Sequence, residues 1–205
     1  MLPAMRRLAA VLALVALACK GGGNRHSLAA PNVLFLVIDC LRADHLSATG
    51  YPRPTTPNLD ALAREGVTFT HAFAQATWTR PSVPTLLSGL YPSEHALQEF
   101  YRGEGGAVMS PRLSDRVTTL AEAVKAHGYR TGLVGEQAQL SRRFGLDQGF
   151  DFYQSHVGAA RNIHSVLFDW LDSSRQPYFA YLHYLEVHWP YCPPAEVRGT
   201  PARDC

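Results

Sequence analysis

Val33, Leu34, Phe35, Leu36, Val37 and Ile38 form an unbroken apolar run rich in β-branched side chains. That is the pattern of a central parallel strand buried on both faces. The period then changes. Leu59, Leu62 and Ala63 recur at helical spacing behind Thr56 as a cap and Pro57 at the first helical position, and Gly66 closes the stretch, so residues 57–65 are predicted to be a helix. Residues 67–73 alternate apolar and polar and read as a strand. A short helix is predicted from Pro81 to about Ser88, with Pro84 tolerated inside its first turn and Gly89 ending it. Residues 119–127, with Thr119 in front and Gly128 behind, read as another capped helix, and 131–135 as a short strand. Residues 163–171 form a helix with an aromatic face, and 178–185 a last strand before a Pro-rich loop. Strands alternating with helices predict an α/β fold with a mainly parallel central sheet and helices on both faces.

The chain ahead of this pattern has a different character. Arg6 and Arg7 precede eleven apolar residues, 8–18, which end at Cys19. That length is short of the about 20 residues a permanent membrane helix needs and suits the core of a secretory signal. Val15-Ala16-Leu17-Ala18-Cys19 resembles a bacterial lipobox, in which the Cys is lipidated and becomes the mature N-terminus. Residues 1–19 are therefore expected to be a lipoprotein signal peptide, 20–30 a Gly-bearing flexible tether, and 31–205 the folded domain. The expected location is the bacterial cell envelope, exported and held to a membrane through the Cys19 lipid, on the outer membrane or the periplasmic face.

Composition changes the picture little. The 205 residues are 46% hydrophobic and 18% charged with a net charge of +2, as for one globular domain. Nineteen basic residues scattered among seventeen acidic ones form no basic stripe, so nucleic acid is excluded as a partner. Export makes disulfides feasible, and Cys192 with Cys205 would close a short loop. Cys40, directly after an apolar strand, reads as a small buried hydrophobe.

The candidate chemistry gathers where strands end, as it does in open α/β sheets. Asp39 is a carboxylate placed immediately after the first apolar run. Such a group caps a turn, or ligates a hard divalent cation with oxygen partners from elsewhere. In Thr77-Trp78-Thr79-Arg80-Pro81-Ser82, Thr79 stands at or beside a helix N-terminus, where unpaired N–H groups and the helix dipole favour negative charge. Its hydroxyl either caps the helix or becomes a metal-activated nucleophile. Asp44, in a polar turn, is a weaker candidate. His183 and His188 differ in strand parity, so one of the two is expected to reach a shared site.

Taken in order, several stretches resemble the N-terminal half of the sulfatase family within the alkaline phosphatase superfamily. Residues 31–39 are similar to its opening strand and first metal ligand, and residues 55–69 to the next helix and strand. Residues 79–89 are similar to the Cys/Ser-x-Pro-Ser-Arg signature and the small-residue helix behind it. Residues 145–151 and 182–191 resemble two later landmarks. The resemblance implies a hydrolase or transferase acting on sulfate or phosphate esters of small molecules, glycans or lipids. It implies a divalent metal (calcium, magnesium, manganese or zinc) on Asp39 and Thr79, with Thr79 as nucleophile and His188 at the anionic group of the substrate. Arg80 and His183 are further candidates for substrate contact.

The departures matter as much. Thr79 stands where sulfatases carry the Cys or Ser that is oxidised to formylglycine, and Thr cannot give that aldehyde, so no formylglycine is expected. Val83 replaces the signature Arg, Cys40 the second of two adjacent acids, and Glu136-Gln137 the neighbourhood of a substrate-contacting Lys. A Thr nucleophile resembles instead the phosphoethanolamine and phosphoglycerol transferases. The family's remaining metal ligands come from its C-terminal half, and no matching element follows Tyr191. The expectation is a front half whose own metal site is weak. The alternative is a non-catalytic lipoprotein remnant or binding module that retains part of the fold.

Overall fold

A computed structural model of the chain describes residues 30–98, 101–102, 108–109, 111–173 and 177–190. The chain divides into two units, Met1–Pro31 and Asn32–Cys205, and the architecture below is that of the second. The expected signal peptide and tether, the lipidation site Cys19, and the Cys192–Cys205 pair lie outside the described residues.

Four parallel strands make one sheet in the order β1, β6, β4, β5: β1 Val33–Ile38, β4 Arg130–Gly135, β5 Phe152–Gln154 and β6 Tyr178–Tyr184. The helices are α1 Pro57–Glu65, α2 Thr79–Ser88, α3 Pro92–His95, α4 Leu120–Lys125 and α5 Ala160–Asp172, and a two-residue hairpin, β2 Tyr101–Arg102 with β3 Val108–Met109, stands apart. The predicted α/β class and parallel sheet are present. Among the described residues no helix is long and apolar enough to cross a membrane.

The central strand β6 shows why the layers form. Phe179 and Tyr181 point to one face, where they pack with Val83 and Leu87 of α2, Ala121 of α4 and Leu133. Ala180 and Leu182 point to the other, against Ile163, Leu167 and Trp170 of α5. Strand parity thus divides one apolar run between two cores, each roofed by its own helices. The caps are local. Thr119 Oγ1 accepts from Glu122 N at 3.1 Å while Glu122 Oε2 accepts from Thr119 N at 2.8 Å, a reciprocal box at the start of α4.

Several expectations need correction. The apolar run of β1 is a strand, but it lies at the edge of the described sheet rather than at its centre. Phe35 and Val37 pack on the α2-side core, whereas Leu34 and Leu36 remain 48% exposed because α5 roofs its neighbours and not β1. Residues 67–73 form no strand. Val67, Phe69 and Phe73 are about four-fifths exposed, since alternation makes a strand only where a ladder partner exists, and none stands beside them among the described residues. Helix α2 begins at Thr79, two residues earlier than predicted, with Trp78 as its N-cap, so Pro84 falls in its second turn. Thr56 does mark the start of α1, but its hydroxyl donates to Asp60 Oδ1 at 3.0 Å instead of capping. Cys40 is exposed, not buried.

Candidate active site

β1 delivers Asp39 to the carboxyl end of the sheet. The Asp39 N–H still pairs with the Tyr184 carbonyl at 2.9 Å, and Cys40 then turns the chain away in the left-handed region, at φ 58°. The Asp39 side chain is left at the end of the ladder with 14% exposure. Three donors converge on its Oδ2: the Thr79 hydroxyl at 2.9 Å, Gln137 Nε2 at 2.8 Å and His183 Nε2 at 3.3 Å. Burial pushes the Asp39 carboxyl up. The hydrogen bonds from His183, Gln137 and Thr79 outweigh that and hold it well below the usual carboxylate range. Asp39 is therefore an anion at any physiological pH.

Each donor is placed by a different element. Thr79 is the first residue of α2, a ten-residue helix whose N-terminus therefore faces Asp39. Gln137 follows β4. Its Oε1 accepts from Gln139 N at 3.3 Å, which fixes the amide so that Nε2 faces both Asp39 and Thr79, the latter at 3.4 Å. His183 shares the α2-side face of β6 with Tyr181 and is 1% exposed. The Tyr181 hydroxyl lies 3.0 Å from His183 Nδ1. Complete burial pushes that phenol far up, so it keeps its proton, and the His183 ring is held between the Tyr181 hydroxyl at Nδ1 and Asp39 at Nε2. Gly135 makes room for this. A Cβ there would sit 2.8 Å from the His183 Cβ, so β4 and β6 approach closely where the histidine must turn to the site.

A cleft of about 370 Å³ opens on this cluster, lined among others by Asp39, Cys40, Trp78, Thr79, Ser82 and His183. Within it an ionised carboxylate, a helix N-terminus and a hydroxyl lie side by side, which suits an anionic ester and a cation together. Cys40 Sγ lies 3.5 Å from Asp39 Oδ1, and burial and the Asp39 charge push its thiol up.

Asp39, Thr79 and His183 are thus brought together, and Gln137 joins them. The sequence treated Gln137 only as a departure from a lysine; an amide after a short strand carries no local signature of such a role. Two expected site residues lie elsewhere. His188 sits in the turn after β6, its Nδ1 2.8 Å from the Trp189 carbonyl oxygen, and it does not line the cleft. β6 ends at Tyr184, so His188 leaves the sheet before it can reach back. Arg80 is 1% exposed, with its guanidinium 4.1 Å over the Phe144 ring, because the second position of α2 points into the core and not at the cleft. Asp44 is exposed and held by Arg42 and His45, pinning a turn.

Among the described residues no group of three or more His, Cys, Asp and Glu side chains is arranged to hold a metal. Asp39 and Thr79 fit part of a ligand set for a hard divalent cation. The carboxylate stays ionised, its Oδ1 is clear of the three donors, and the hydroxyl oxygen lies next to it.

Comparison with known proteins places this geometry. Arylsulfatase H of Canis lupus familiaris is 34% identical over 134 residues, covering 60% of this chain and 24% of that protein. The N-acetylgalactosamine-6-O-sulfatase of Bacteroides thetaiotaomicron is 30% identical over 141 residues, covering 68% and 25%. The chain thus spans about a quarter of the length of these curated relatives. The crystal structure of the phosphonate monoester hydrolase of Agrobacterium radiobacter superposes with a TM-score of 0.65 at 25% identity, covering 81% of this chain and 43% of that one. The fold is that of the alkaline phosphatase superfamily. The sulfatase family model matches residues 31–203, from the opening strand through Asp39, Thr79 and His183, and the chain belongs to the sulfatase family.

Proposed function

We propose that this chain forms the nucleophile-bearing wall of a hydrolase or transferase acting on sulfuric or phosphoric esters, with Thr79 as the nucleophile. The observation that carries the reading is the Thr79 hydroxyl at the start of α2, 2.9 Å from a carboxylate held ionised. Asp39 orients that hydroxyl. It is a poor base for removing the proton, because its own affinity for a proton is depressed. A divalent cation on Asp39 and Thr79, completed by ligands other than these two, would lower the pKa of the hydroxyl and offset charge on the ester. Gln137 and the Tyr181–His183 pair keep Asp39 aimed, and the α2 N-terminus receives the ester's anionic oxygens. Attack then forms a bond from Thr79 Oγ1 to sulfur or phosphorus, breaks the bond from that centre to the ester oxygen, and releases the alcohol, whose oxygen takes up the proton lost by Thr79. Water or an acceptor hydroxyl must break that bond, since Thr79 offers no aldehyde from which the group could be eliminated.

The test is Thr79→Ala in the intact protein, assayed on 4-nitrophenyl sulfate, 4-nitrophenyl phosphate and a phenylphosphonate ester. Turnover should vanish while the unfolding free energy from urea titration falls by no more than one lost hydrogen bond to a charged group, about 1.5–3 kcal/mol. Thr79→Ser should keep part of the rate. Undiminished turnover in Thr79→Ala would sink the assignment. The second reading, a non-catalytic module, is favoured by one observation: Asp39 Oδ2 is already satisfied by three protein donors. Absence of turnover on all three esters in the wild-type protein would select it.

Export and anchoring through Cys19 belong to the same proposal and rest on the run of residues 8–18 ending at Ala18-Cys19. The mature N-terminus, measured by mass spectrometry, should be a lipidated Cys19. A free amino terminus further along the chain would overturn the anchoring.

A further inference from the structure

His95 is a buried imidazole outside the cleft, and the reading above gives it no part. It closes α3, is 3% exposed, and has both ring nitrogens engaged. The Leu97 N–H, which can only donate, lies 3.0 Å from Nδ1, so that nitrogen carries no proton. Burial pushes the imidazole pKa down and keeps the ring neutral, which puts its one N–H on Nε2. Nε2–H then donates to Thr85 Oγ1 at 3.1 Å, and the Thr85 hydroxyl donates to the Pro81 carbonyl at 3.1 Å. The three bonds run in one direction, from Leu97 to Pro81, and reinforce one another.

They end where α2 is weak. Pro84 stands in its second turn without an N–H, so one rung of the ladder is missing just behind the turn that carries Thr79. A helix kinks at such a gap unless something holds it. The Thr85–Pro81 bond spans that stretch, and His95 holds it from outside the helix. Leu97, buried in the same core as Val83 and Leu87, fixes the imidazole in turn.

We propose that His95 is a positioning residue for Thr79: through Thr85 it fixes the first turn of α2 across the interruption at Pro84, and so places the hydroxyl of the preceding reading, on which this inference rests.

The test uses two variants that each keep one half of the imidazole. Gln sets an amide nitrogen where Nε2 stands, and Asn sets an amide oxygen where Nδ1 stands. In the 205-residue chain, His95→Gln should leave the Thr79 methyl resonance in place and amide exchange at Ser82, Val83 and Thr85 within about threefold of wild type. His95→Asn should shift that resonance and speed exchange at those residues about tenfold or more, with α5 unchanged. Thr85→Val, which keeps the histidine and removes its acceptor, should reproduce the Asn result. On the three esters, His95→Asn should lower kcat about tenfold or more with KM within about twofold, and His95→Gln should keep the rate. Circular dichroism checks that each variant folds. Wild-type behaviour of α2 in His95→Asn or in Thr85→Val would reduce His95 to a cap on its own turn and overturn the proposal. So would a His95→Gln protein as loosened as His95→Asn. An unmoved kcat in a variant whose α2 exchange has risen would overturn it too, and the Thr79 reading would survive. If the wild-type chain turns over none of the esters, the nucleophile reading falls, and the Thr79 resonance still decides whether His95 places that residue.

Discussion

Of the four polar residues in the cluster, Asp39 and Thr79 sit at the ends of local patterns, Gln137 belongs to none, and His183 lies between these cases. Asp39 follows six apolar residues, and Thr79 precedes a proline-bearing helix start, so local pattern alone singles them out. Gln137 is reached only when the end of β4 is set against β1, across 98 positions of sequence, and no window of residues contains that information. The histidines fall between. Parity separates His183 from His188, but which one reaches Asp39 depends on where β6 stops, and strand ends are set by pairing rather than by composition. The Gln137 amide has a measurable weight. Gln137→Ala removes a buried donor to an anion, and unfolding in urea should show a loss of about 1.5–3 kcal/mol with an unchanged slope. Gln137→Glu should cost more, because it sets a second carboxylate beside one that stays ionised. A Gln137→Ala protein as stable as the wild type would mean that water replaces the amide without penalty.

Elements with their own punctuation were readable, and elements that exist through partners were not. α4 carries its reciprocal cap and α1 its proline, and both lie where the pattern puts them. β5 has three residues and α3 four, too few for any period to show. Residues 67–73 have the period of a strand without a ladder. Asp151 illustrates how short elements are tied instead. It pairs with Lys125 of α4, and its Oδ2 accepts from the Thr131 N–H and hydroxyl of β4 at 3.2 and 3.1 Å, just before β5 starts. Burial pushes its carboxyl up, but Lys125 and Thr131 outweigh that and hold it below the usual range. A carboxyl depressed in the folded state stabilises fully above its unfolded pKa of about 4 and loses that contribution as pH falls through the folded value. Asp151→Asn lacks this charge. The stability gap between wild type and variant should therefore narrow between about pH 6 and about pH 3, and with the side chain 42% exposed it should not exceed about 1 kcal/mol. A gap independent of pH would show that the pairings contribute nothing through charge.

At the scale of the molecule, the cores beneath α2 and α5 are well buried, while several large apolar side chains among the described residues stay exposed. Leu34 and Leu36 of β1, Leu62 of α1, and Val67, Phe69 and Phe73 leave large side chains in water. Class and strand direction were legible because alternating β and α patterns admit few arrangements. Strand order was not, because six apolar residues look the same at the centre of a sheet and at its edge. The pairing of β1 has a further implication for how the protein is made. Val33 lies opposite Phe179, so the first strand to leave a ribosome finds its described neighbour only 146 residues later. At about 5–20 residues per second the wait is roughly 7–30 s. Through that interval β1 has no ladder partner among the described strands, and a chaperone that holds short apolar segments would find its natural client there.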